Sequence, residues 1–480
     1  MKNKMVSVPV LIACLTVITC FAVVPAAWAQ WSSNPAINLP LADKLGDDQV
    51  QPKVKPLPNN QWFVSWFDAD PNSPPPVGYD VYYQLLSATG VEQFPHDGVM
   101  VADLSNSSTE DYGLDIDTSG NALLAFLDTR EGSRQQITAA KMDPTGNPLW
   151  GPNGVQLTHG GTQHYDPKIA GTSDGDVVVA WTEGFGETAN VKVQRLDPNG
   201  NPLWPHPVVF HEAGYQYFLA DMHAADNGSV IISWVRENGF FSNKQLRANK
   251  LSAGGKKLWG KSNVVIFDQG SLQFGNFPYF IPDGSGGAIF SWYTASPILQ
   301  CFAQHILAGG SEAFPHNGSP GSTDTNNIRV SPSASYRAST GETFMFWTEE
   351  DSNQFYNGVY GQKFDGQGNA QWSPTGLVLI PLGTDTQTFV ENVQSGTGAL
   401  VLWVDSPGYG LSTMQGELLA GDGTTTCAPF AVSSAPADKY GLSVDMASSG
   451  LTAVAWTDDR IGNNAIYIQN VNADCTLGIE

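Results

Sequence analysis

Short apolar runs, each closed by an aromatic residue, return along this chain at an almost constant interval. They are FVSW ending at Trp66, LLAF at Phe126, VVAW at Trp181, IISW at Trp234, IFSW at Trp292, FMFW at Trp347, LVLW at Trp403 and AVAW at Trp456. The steps between these aromatics are 60, 55, 53, 58, 55, 56 and 53 residues. A period of this length marks one supersecondary unit used eight times. Runs of four to six apolar residues bounded by turn residues predict buried strands, and no helical periodicity is sustained anywhere.

The polar punctuation repeats with the apolar runs. Six residues before the aromatic stands a glycine in six units: Gly120, Gly175, Gly228, Gly286, Gly341 and Gly450. Glycine adopts positive φ without a Cβ clash, so these positions predict tight turns into the apolar strand. A second hairpin follows, clearest in LDPNGNPLW at 196–204. In six units an apolar residue stands eight positions before a second aromatic, as in Leu196 and Trp204; a seventh pairs Leu419 with Cys427 in the aromatic slot. Each unit therefore predicts four short antiparallel strands, the last starting at the second aromatic.

Eight such units predict an all-β chain, an eight-bladed β-propeller of four-stranded blades in one domain over residues 30–480. The eighth unit ends without a fourth strand, while residues 31–40, beginning at Trp31, have the form of the missing piece. Pairing the head of the chain with its last three strands would close the ring and leave no open sheet edge. A monomer is the expected state.

The segment WTDDRIGNNAIYIQNV at 456–471 resembles the repeat of secreted bacterial β-propellers of the form W-x-D-x-R-x-G, then I-Y-x-Q, then G-x-x-x-W. Phe126, Asp128 and Arg130 match it, whereas Trp292, Tyr293 and Thr294 do not. The resemblance implies the fold and an extracytoplasmic address, and little about activity. The turn before the second aromatic is also similar to the Asp-box of sialidases, but Ser-x-Asp-x-Gly-x-Thr-Trp is absent and no arginine triad can be assigned.

Residues 1–29 carry Lys2 and Lys4, an apolar run and Ala27-Trp28-Ala29, and read as a secretory signal cleaved near Ala29. Secretion or periplasmic export follows, with no membrane insertion of the mature chain. Without that segment, 21 basic residues face 46 acidic ones, a charge of −25 that excludes nucleic acid as a partner. Three cysteines remain. Cys427 and Cys475 fall near the second hairpins of neighbouring blades seven and eight, where a bridge would pin the C-terminus and leave Cys301 as a thiol; the spacing alone leaves open whether the two are bridged.

Candidate chemistry lies in loops. Two positions after the strand-two aromatic come Asp68, Asp128, Glu183, Glu349, Asp405 and Asp458. As a ring they would hold cations, calcium being the candidate cofactor; alternatively each accepts hydrogen bonds in its own turn, with Arg130 and Arg460 as partners. The loops leading into strand one face the same side and supply Asp111, Tyr112, His164, Tyr165, Tyr217, Asn276, Phe277 and Tyr440 as binding residues, types suited to stacking on a sugar or gripping a peptide. His96, His206 and His316 repeat two residues after the second aromatic, but outer strands of alternate blades lie too far apart to share a zinc ion. No motif selects a catalytic residue. The expectation is a non-catalytic propeller recognising a polysaccharide or a protein near its axis; the alternatives are a glycan hydrolase with its site in the same mouth and a cation-stabilised envelope component.

Overall fold

The structure, a computed structural model, describes residues 30–69, 78–106, 111–132, 135–296 and 298–479, with the side chains of 104–106 excepted. Residues 1–29, expected to be a secretory signal, therefore lie outside the described residues. Eight antiparallel sheets follow in chain order, and their first strands touch in a closed ring. The chain is an eight-bladed β-propeller. Blade 1 is typical: Gln49–Pro56, Trp62–Ala69, Tyr79–Leu86 and Val99–Asn106, hydrogen-bonded in that order from the axis outward. Blade 5 differs, because its first strand is split into Ser271–Leu272 and Phe280–Pro282, both on Ala288–Ser296. The intervening stretch contains Pro278, which has no N–H to give to a ladder.

All eight strand-two aromatics are buried at 1% exposure or less. Each fills the wedge between two blades, where a side chain of this size removes roughly 150–250 Å² from water. The W-x-D motif has a local cause: the Trp456 indole donates to Asp458 at 3.0 Å, and the Trp347 indole donates to Glu349 at 2.8 Å.

Blade 8 is assembled from both ends of the chain. Leu39–Ala42 pairs antiparallel with Ala465–Val471, outside Thr452–Asp458 and Lys439–Met446. The glutamine of I-Y-x-Q anchors this splice. Gln469 donates to the Ser32 carbonyl at 2.9 Å and accepts from the Asn38 amide at 3.3 Å.

In blades 1–6 the fourth strand starts later than the spacing predicts, and so does the N-terminal one, which begins at Leu39 and not at Trp31; in blade 7 the strand Thr425–Ser433 already contains Cys427. The second aromatic sits instead in a short loop closed by a bridge such as Leu196↔Pro202. It is free of the ladder because it packs on the next blade. The indoles of Trp31, Trp150, Trp204 and Trp259 donate to the carbonyls of Ala88, Pro198, Ala253 and Ala308, each one blade further on, at 2.9–3.0 Å. Beside that carbonyl lies the turn glycine, four residues after the apolar position. A Cβ built on Gly310 (φ +86) would stand 2.7 Å from the Trp259 ring, so contact and backbone conformation both require glycine.

One junction departs from this rule. Between blades 7 and 8 the aromatic slot holds Cys427 and the turn-glycine slot holds Cys475, at φ +70. The two are joined by a disulfide, with Cα atoms 6.5 Å apart. A covalent bond here replaces the aromatic-on-glycine contact. Cys301 is a buried free thiol, which burial pushes well above its ordinary pKa.

Candidate functional site at the propeller mouth

Strand one lines the axis, and its irregularity is systematic. In six blades a register shift interrupts its pairing with strand two, immediately before Lys53, Lys168, Asp221, Ser333, Glu391 and Ser443. Five of these shifts carry a residue at positive φ two places earlier: Gln51, Asp166, Ser331, Phe389 and Gly441. Such bulges turn the strand and re-aim the next side chain. All six residues then pair at one level, opposite the residue preceding the strand-two aromatic, and Tyr279 takes that level in blade 5.

The tier is closely wired near the mouth. Asp111, on the loop leading into blade 2, is 2.7 Å from the Lys53 ammonium, is paired with Lys168, and accepts from the Tyr279 hydroxyl at 3.4 Å. Burial works against its charge, but Lys168 and Lys53 prevail and hold the carboxyl well below the usual range. One step deeper, Lys55 meets Asp445 at 3.1 Å, and His223 reaches back to Asp221 of the tier at 3.0 Å. Among the described residues Glu391 has no cation as a partner. It accepts from the Ser333 hydroxyl at 2.8 Å, and burial pushes its pKa up to about 7.

The residues singled out from the sequence divide into two groups. Tyr112, His164 and Tyr217 are buried. Tyr112 packs on Phe67 with ring centroids 4.6 Å apart and hydrogen-bonds Ser65 and the Gln51 carbonyl, joining blades 1 and 2. Tyr217 stacks on Trp234 and donates to Glu212. His164 lies against Glu183 and the Gln135 carbonyl. A ligand at the mouth cannot reach these three rings, because the blades need them as wedges. Asp111, Tyr165, Asn276, Phe277 and Tyr440 remain at the mouth; Asn276 donates to the Tyr293 carbonyl and Tyr440 to Asn464.

The acids that follow strand two serve the blades themselves. Asp68 faces Lys44 at 3.4 Å, Asp128 faces Arg130 at 3.0 Å, Glu183 faces Lys192 at 2.5 Å and Glu349 faces Arg329 at 2.9 Å. Asp458 lies between Arg460 and Lys439, and Asp405 accepts from Gln387 at 2.7 Å. With Asp68, Asp128, Glu349 and Asp458 each 2% exposed or less, this ring presents little to a ligand. Two of the repeated histidines are also engaged locally. His96 bridges Glu92 and Asp43, Glu92 foremost raising its pKa to about 9, and His316 lies beside Glu312 and Asp268. Asp43, His96 and Asp97 form a compact group of potential ligand atoms, but the imidazolium already supplies its positive charge.

A set of residues absent from the sequence expectation dominates this face. The loops after strand two expose Phe185 (75%) in blade 3, Phe241 (98%) in blade 4, Phe355 (74%) in blade 6 and Tyr409 (92%) in blade 7. Beside Phe241, Phe240 and Phe274 lie with centroids 4.7 Å apart, and the Lys244 ammonium stands over both rings. Tyr279 and Phe277 continue the surface toward the axis. These loops begin where strand one begins, as the pairing of His164 with Glu183 shows, so the aromatics form an arc around the charged mouth.

No protein-family model and no curated protein matches the chain. Among solved structures it is similar to the polysaccharide lyase Uly1 (TM-score 0.46, 11% identity, covering 88% of this chain and 90% of that one). It is also similar to an α-L-arabinanase of Penicillium chrysogenum complexed with arabinobiose (TM-score 0.40, 11% identity, 78% and 98%) and to the NanB sialidase of Streptococcus pneumoniae (TM-score 0.37, 11% identity, 86% and 84%). No activity of this chain follows from these likenesses.

Proposed function

We propose that the chain is an extracytoplasmic polysaccharide-binding propeller, non-catalytic, whose ligand lies on the aromatic arc around the mouth. The observation that carries this reading is the placement of Phe185, Phe241, Phe355 and Tyr409 on four separate loops of one face, all strongly exposed. Exposed rings cost solvation unless a partner covers them, and flat apolar faces separated by polar loop residues suit the C–H faces of successive sugars. The acid excess, together with mouth lysines already paired to Asp111 and Asp445, favours an uncharged polymer over a polyanion. Affinity electrophoresis through gels containing arabinan, xylan, mixed-linkage β-glucan or galactomannan tests it. Retardation by at least one polymer is expected; unchanged mobility in every gel, with anionic polymers retarding the protein instead, would contradict it.

A second reading has one observation in its favour. Glu391 holds its proton to about pH 7 while Asp111 and Asp221 on the same tier are kept ionised, Asp221 by His223 against its own burial. Carboxyls whose pKa values are pushed apart are what acid–base hydrolysis of glycosides uses. Release of reducing ends by the wild-type chain, abolished in Glu391→Gln, would favour a hydrolase; no release from any bound polymer would remove that reading.

A further inference from the structure

The mouth is spanned from one side to the other. Tyr279 belongs to blade 5 and Asp111 to blade 2, three steps apart in a ring of eight, yet the tyrosine hydroxyl reaches the carboxylate at 3.4 Å. The contact is held from both flanks: the Lys168 ammonium, itself paired with Asp111, stands 5.2 Å from the Tyr279 ring centroid, and Lys53 binds the other carboxylate oxygen. Side chains of four blades, Lys53, Asp111, Lys168 and Tyr279, therefore meet at the mouth in a charge-assisted cluster, the strong class of hydrogen bond. A sugar entering the channel end-on would have to break it.

The aromatic arc has the opposite character. It stays open to solvent along its whole length, and its outer members, Phe185 in blade 3 and Tyr409 in blade 7, stand on opposite sides of the axis. A pocket that selects a chain end closes around one terminal residue; an arc of separate platforms beside a bridged opening offers contacts to sugars in a row. Resting on the polysaccharide reading above, we infer that the site takes the interior of a polymer chain, laid across the face, and does not select a chain end.

The number of protein molecules carried by one polymer chain decides between the two modes. The polymer that retards the protein most in the affinity gels is fractionated to a narrow length distribution of some hundreds of sugars and saturated with protein. The mass of the complex is then measured by light scattering coupled to size exclusion. Interior recognition gives more than two protein molecules per chain, rising in proportion to length, and reduction of the reducing-end sugar to its alditol by borohydride leaves affinity within about twofold. A stoichiometry of one or two per chain, independent of length, would overturn the inference and leave polysaccharide binding intact. Absence of binding to any polymer would defeat the underlying reading as well.

Discussion

The indole N–H of Trp31 donates to the carbonyl of Ala88 at 3.0 Å, joining the first described turn of the chain to blade 1. The same bond is made by Trp150 to Pro198 and by Trp204 to Ala253 inside the repeat, so Trp31 behaves as the second aromatic of blade 8. It is 4% exposed and packs in one cluster with Leu41, Trp62 and Ile468.

Truncating this ring should therefore damage the closure as much as truncating an interior counterpart. Trp31→Ala is expected to cost about 3–5 kcal/mol, the range for a buried aromatic, and Trp150→Ala a similar amount. Urea unfolding followed by circular dichroism measures both. An unchanged midpoint for Trp31→Ala would mean that the N-terminal segment does not clasp the ring.

The Cys427–Cys475 junction makes a second prediction. The bond closes a sequence separation of 48 residues, for which chain entropy gives about 4 kcal/mol of stabilisation. Cys427→Ser with Cys475→Ser should lose most of that. Because the slots are those of an aromatic and a turn glycine elsewhere, Cys427→Trp with Cys475→Gly should recover a large part, and should do so equally with and without reductant. Thermal melts of the three proteins compare them. A Trp/Gly variant no better than the Ser/Ser variant would refute the equivalence of the slots.

Glu391 predicts the sign of a pH effect. Its folded-state pKa of about 7 lies above the ordinary value of 4.5, so between these values the folded chain binds more protons than the unfolded one. Its contribution to stability is then most favourable below about pH 4.5 and is lost as pH rises through 7. Glu391→Gln should remove that decline, raising the melting temperature at pH 8 relative to wild type while leaving it nearly unchanged at pH 4. Parallel wild-type and variant curves across this range would contradict the assignment.

What the sequence disclosed follows from what a propeller must repeat. Every blade needs an aromatic wedge such as Trp181, and every junction but the disulfide-linked one needs a turn glycine such as Gly200 and a ring such as Trp204 docked on its neighbour, so those positions keep a fixed interval. Tyr112 and Tyr217 attracted attention as binding residues because of their place in that interval, and they are wedges for the same reason. The exposed aromatics keep no interval: Phe185 lies four residues after its strand-two aromatic, Tyr409 six, Phe241 seven and Phe355 eight. A periodic search discards such residues, although no packing constraint fixes them. Departure from the repeat, combined with an aromatic in a polar loop, is the signal that would have found them. The tier at the axis was hidden differently, since a bulge moves Lys53 and Glu391 out of the simple alternation of a strand.

A comparison of variants tests whether the ligand lies on the aromatic face of the ring. Phe241 and Tyr409 are almost wholly exposed, so Phe241→Ala and Tyr409→Ala should leave the melting temperature within about 1 °C of wild type. Each should weaken binding to the retarding polysaccharide about three- to tenfold, in line with 0.5–1.5 kcal/mol per stacked ring. The measurement is the dissociation constant from affinity electrophoresis of wild type, each variant and the pair. Weakened binding at unchanged stability is the predicted result, and full affinity in the double variant would contradict the placement of the ligand on the aromatic arc.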